Sequence, residues 1–124
     1  MIPDERDLIE ALRTIESLLQ KHGLGDWVDT PAIVAEAEAG IPGIAEKLTG
    51  LSVWGGSGAL WEINLAFGKL AQPDASHDQR SFQSAIIVLA DYLNAHEVGS
   101  ERMRARAREI AAIFRRWNET IYRA

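Results

Sequence analysis

Three glycines in four positions, Gly55-Gly56-Ser57-Gly58, lie between Trp54 and the run Ala59-Leu60-Trp61-Glu62. By composition this is the stretch of the chain best suited to hold a ligand. Backbone amides without side chains over them attract anions, and so does the start of a helix. A phosphate loop also needs a lysine and a hydroxyl residue after the glycines, and a dinucleotide fingerprint needs a strand before them; neither is present. The plainer reading is a tight turn in which the missing side chains let Trp54 and Trp61 approach neighbouring backbone. A small-ligand or enzymatic site, on the alternative reading, falls at this loop and uses Ser57, Glu62 and Asp91 beside the two indoles.

Other chemistry is sparse. With no cysteine, the chain can have neither a disulfide framework, nor a thiolate zinc site, nor a cysteine nucleophile. His22, His77 and His96 are scattered, and His96-Glu97 are consecutive residues that point about 100° apart on a helix, so no metal site and no cofactor is expected. His22 and His96 are read as partners of helix C-termini. Among the carboxylates Asp91 stands out, because it interrupts an apolar run and must find a partner, reach water or shift its pKa. An ion pair to an arginine of the last helix is the structural expectation, and a general base in a cleft the catalytic one.

Charge is unevenly distributed. Residues 1–100 carry 6 basic and 15 acidic side chains, a formal −9, whereas residues 101–124 carry 7 and 3, a formal +4. Arg102 and Arg106 fall on one flank of the last helix, Arg104 and Arg108 on the other, with Arg115 extending the second flank. A nucleic-acid site would use Arg104 and Arg108, but the net charge of −5 opposes long-range steering to phosphate. Trp117 reads as core, while Trp27, Trp54 and Trp61 sit in or beside loops. Tryptophan and arginine are the side chains most enriched at binding hot spots.

The elements that must position these residues are all helical. Leu8, Leu12, Ile15 and Leu19 recur at steps of three and four and predict a helix over 4–22, closed by Gly23. Thr30-Pro31 opens a short helix ending near Gly40, and a second short piece covers 44–49. The glycines forbid a stable helix over 51–59; one resumes from Leu60 to about Leu70. Ser76 and Gln79 have the spacing of a capping box, followed by a helix apolar nearly all round that belongs at the centre. Met103, Ala107, Ile110, Phe114, Trp117 and Ile121 then form a heptad-like seam suited to an antiparallel hairpin. With 124 residues, the expected architecture is one all-α domain spanning 1–124: a compact bundle of five or six helices with a Gly-rich loop in the middle.

The segment Val53-Trp54-Gly55-Gly56-Ser57-Gly58-Ala59-Leu60-Trp61-Glu62-Ile63-Asn64-Leu65 resembles part of a bacterial family of small, mostly helical proteins of unknown function. In that family a Gly-Gly-Met-Gly-Ser run follows a long helix and precedes a hydrophobic and an acidic residue. Gly55, Gly56 and Gly58 fit the run and Glu62 stands for the acid, while Ser57 and Ala59 depart from it. The resemblance implies a shared helical fold and a shared loop, and transfers no catalytic residue. Without a secretory signal or a membrane-length apolar stretch, the chain is read as a cytoplasmic, non-enzymatic protein. Its expected partner is another protein, as an immunity protein binds a basic toxin, or a second copy through the last two helices. The candidate binding residues are Trp54, Gly55, Gly56, Ser57, Gly58, Trp61, Glu62, Arg104 and Arg108.

Overall fold

A computed structural model describes residues 2–25, 30–56, 58–66 and 72–122. Among them are six α-helices and no strand: α1 (Glu5–Lys21), α2 (Thr30–Glu38), α3 (Ile44–Lys47), α4 (Leu51–Trp54), α5 (Pro73–Ala95) and α6 (Glu101–Thr120). The expected all-α bundle is the fold found. No described helix is long and apolar enough to cross a membrane.

Helix α1 starts where its backbone donors find side-chain partners. Asp4 and Asp7 each accept the other's amide hydrogen at 2.9 Å, a reciprocal capping box. At the other end Gly23 takes φ +77°, which lets the Gly23 and Leu24 amides return to Gln20 and Leu19 carbonyls at 3.1 and 2.7 Å. Between them Leu8, Leu12, Ile15 and Leu19 are buried, as their spacing predicts.

Helix α5 lies between α1 and α6 and antiparallel to both. His22 meets Asp78 at one end of the α1–α5 pair, and His96 meets the Pro3 carbonyl at the other. Across the second pair, Asn94 contacts Arg104 and Gln83 contacts Asn118. Segment α2–α4 packs on one face of this three-helix layer. There Val34, Ile44, Leu48, Val53 and Trp54 join Leu12, Ile15, Phe82, Ile86, Leu89, Ile110 and Phe114 in one core.

Four expectations are corrected. A single helical turn, α4, does form within 51–59; it ends at Trp54, directly ahead of the glycines. Beyond Ala59 only a 3-10 turn, Leu60–Glu62, is present before the backbone leaves helical geometry. There the Asn64 side chain accepts the Ala66 amide at 2.9 Å and Gln79 accepts that of Leu65 at 2.6 Å, so side chains replace the helical partners. Residues 67–71, in the second half of the expected helix, lie outside the described residues, as does Trp27.

Helix α5 begins at Pro73, not after Ser76: proline presets the first helical φ, and the extra turn buries Ala75. Trp117 is 37% exposed and Ile121 53% exposed, while Asn118 and Tyr122 are buried in their place. A straight α-helix turns 3.6 residues per turn, so a strict 3.5-residue seam drifts off the core by its last turn.

Candidate functional site

The glycine loop is built around its two indoles. Trp54 is fully buried and its Nε1 donates to the Leu48 carbonyl at 2.6 Å; Trp61 Nε1 donates to the Gly55 carbonyl at 2.5 Å. Gly55 closes α4 by donating its amide to the Leu51 carbonyl at 2.8 Å. A Cβ on Gly55 would stand 2.5 Å from that same oxygen, so no other residue fits without movement. Gly56 faces open space, and Gly58 takes φ +89°. The Gly58 amide donates to Glu62 Oε2 at 3.2 Å, which turns the Glu62 carboxylate back onto its own loop. Ser57 lies outside the described residues.

Helix α6 supplies the opposite wall. Ser100 Oγ accepts the Met103 amide at 3.1 Å and fixes the helix start. From there Arg102 and Arg106, one turn apart, reach the glycine loop. Arg106 is held in place: its guanidinium lies 5.2 Å from the centre of the Trp61 ring and its Nε donates to the Trp54 carbonyl at 3.2 Å. Arg102 is exposed and has no hydrogen-bond or ion-pair partner among the described residues. Between the walls runs an open groove of about 540 Å³, in which Leu51 and Met103 give the apolar surface and Gly55 and Gly56 leave the backbone uncovered. Leu51 is 72% exposed.

The sequence-selected residues therefore divide. Trp54, Gly55 and Gly56 line the groove; Trp61 braces Arg106 beside it; Glu62 is turned away. Arg104 and Arg108 are on the other flank, where both bind Glu101 at 2.8 Å. Arg104 also donates to the Gly99 carbonyl and Arg108 to Asn94 Oδ1, each at 2.5 Å. Hydrogen bonds from Arg108 and then Arg104 hold the Glu101 carboxyl below its usual range. Asp91 is paired with Arg115 at 2.6 Å, as the structural expectation has it, and does not border this groove. Leu51, Arg102, Met103 and Arg106 were not selected from sequence. The helical spacing that groups Arg102 with Arg106 was visible, but which flank meets the loop depends on how α6 packs against α4.

A second polar cluster joins α1 to α5. Lys21 Nζ and His22 Nε2 both meet Asp78 Oδ2, at 2.8 and 2.9 Å. Burial pushes the Asp78 carboxyl up, but the hydrogen bonds from Lys21 and His22 with their charges outweigh it, leaving it below the ordinary aspartate value. A third links the interior. The Leu65 amide donates to Gln79, Gln79 to Gln83 Oε1 at 2.9 Å, Gln83 to Asn118 Oδ1 at 2.7 Å, and Asn118 to Ser84 Oγ at 3.1 Å. Among the described residues no group of histidines and carboxylates is placed to hold a metal ion. Comparisons with protein-family models, curated proteins and solved structures give no match.

Proposed function

We propose that this chain is a non-enzymatic protein-binding module, and that the groove between α4 and the start of α6 receives an acidic, apolar segment of a partner protein. One observation carries the reading: an exposed leucine, Leu51, lies in one groove with an arginine, Arg102, that has no hydrogen-bond or ion-pair partner among the described residues. The other arginines of the first half of α6 are engaged within the molecule. Arg106, stacked on Trp61, adds a second guanidinium whose position is already fixed, which lowers the ordering cost of meeting a carboxylate. The nucleic-acid alternative has less support, because Arg104 and Arg108 are both already bound to the Glu101 carboxylate.

The test compares affinity capture by the tagged wild type, by Leu51→Ser/Arg102→Glu, and by Arg116→Glu, with captured proteins quantified by mass spectrometry. Arg116 is exposed about 21 Å further along α6 and serves as a surface control. A protein retained by the wild type and by Arg116→Glu, lost by the groove variant, and bound directly when purified would support the groove. Equal retention by the groove variant would overturn it.

A further inference from the structure

A second groove lies elsewhere on the molecule. A groove of about 600 Å³ runs along the outer face of α5 beside α1, and it shares no lining residue with the α4–α6 groove. It exists because its floor is made of small side chains, Ser81, Ser84 and Ala85 of α5 with Ala11 of α1. Its two ends differ in charge. Arg80 and His77 stand at the N-terminal end of α5; Asp7 and Glu10 of α1 and Asp91 of α5 stand at the other.

We propose that this face of α5 is a self-association surface, on which two copies meet antiparallel about a two-fold axis passing near Ser84. Under that axis a residue a given number of positions before Ser84 faces the residue the same number after it in the second copy. His77 and Asp91 are each seven positions away, and Arg80 and Val88 are each four. The antiparallel register set by His22 with Asp78 and by Pro3 with His96 places Glu10 level with the stretch from Val88 to Asp91. The basic end of each copy therefore meets the acidic end of the other, once at each end, and small residues meet on the axis, where two helix backbones must come close.

The charges are available for it to different degrees. Arg80 has no carboxylate partner among the described residues; its Nε reaches only the Asn118 carbonyl, at 3.4 Å. Asp91 is already tied to Arg115, and Asp7 to the Asp4 amide. Among the described residues the Glu10 carboxylate has only a long, exposed contact with Arg6 at 3.8 Å. The principal new pair is therefore Arg80 with the second copy's Glu10, made twice.

Sedimentation velocity on the full chain between about 1 µM and about 1 mM is the experiment, with wild type, Arg80→Glu and Glu10→Lys measured alone and the two variants mixed in equal amounts. The wild type is expected to show a monomer–dimer equilibrium that weakens with salt, and each variant alone to weaken it by about tenfold or more, since repulsion replaces attraction at both ends. Mixing the variants restores attraction at both ends, so the mixture should dimerise again, which a misfolded variant would not do. A wild type monomeric throughout, variants that dimerise as well as it does, or a mixture that stays monomeric would each overturn the proposal. None of these outcomes bears on the α4–α6 groove, whose residues are unchanged.

Discussion

At the scale of single residues, Glu97 is the described non-glycine residue with a positive φ, +51°. It follows the last turn of α5, where the Val98 amide returns to the Leu93 carbonyl at 2.9 Å, in the geometry that Gly23 serves after α1. A side chain there costs about 1 kcal/mol, because Cβ crowds the carbonyl oxygen. Glu97→Gly is therefore expected to raise stability by up to about 1 kcal/mol, seen as a higher urea midpoint at unchanged slope. Asp78 gives a pH dependence of definite sign. Its folded-state carboxyl titrates below the unfolded value of 3.8, so its contribution is complete above that value and is lost as pH falls through the folded pKa. Urea midpoints of the wild type should fall below about pH 4 more steeply than those of Asp78→Asn. That Asp91 pairs with an arginine of the last helix was legible in the sequence, because a lone charge in an apolar helix demands a partner; that the arginine is Arg115 was not. The Asp78 cluster was not, because Asp78 lies 56 residues from His22 in the chain and only the α1–α5 packing brings them together.

Among the elements, the short turn α4 and the loop after it separate two glycines by role. Gly55 has the Leu51 carbonyl where a Cβ would go, whereas Gly56 has nothing within 4 Å. Gly55→Ala should cost about 1–3 kcal/mol, and Gly56→Ala should stay within about 0.5 kcal/mol of the wild type, measured as paired denaturant titrations. In the sequence the three glycines read as one helix-breaking unit; both Gly55 and Gly56 border the groove, and only at Gly55 is the place of a Cβ taken by backbone. The longer elements were legible from apolar periodicity, and α1 agreed at both ends. Where legibility failed, a side chain had a choice of partners. Gln79 had the spacing to cap a helix at Ser76, yet it is drawn inside to hold Leu65 and Gln83, and Pro73 starts the helix a turn earlier. Trp117 fell on an ideal seam that a real helix leaves before reaching it.

Across the whole molecule, most described arginines of the last helix are engaged within the chain, but among the described residues only Arg115 pairs with a carboxylate of the acidic body. Arg115 crosses to Asp91, Arg104 and Arg108 converge on Glu101, and Arg106 lies on Trp61. Composition revealed the asymmetry, but not that Arg102 would share a groove with Leu51, since that depends on the packing of segments 51 residues apart in the chain. The polar chain from Gln79 through Gln83 to Asn118 is a long-range link between the loop at 63–66 and both central helices. Gln83→Ala leaves two buried amides short of a partner and should cost about 1–3 kcal/mol, whereas replacing Gln79, Gln83 and Asn118 together with leucine removes both members of the bonds among them, leaves the buried Leu65 amide unpaired, and should cost less than three such losses. Chemical denaturation of the single and triple variants checks both.

That chain of amides has a consequence for how α5 and α6 recognise one another. Apart from Phe82 and Phe114, the apolar residues on their buried faces are alanine, leucine and isoleucine, so sliding one helix past the other by a turn, about 5.4 Å, exchanges mostly aliphatic neighbours for others much like them. Only one alignment sets Gln83 against Asn118. The leucine triple variant should keep its helix content while populating several alignments, and its amide NMR spectrum should broaden where the wild type gives one sharp set. In that sense the least hydrophobic residues of the core act as a vernier, marking the single position at which the two helices agree.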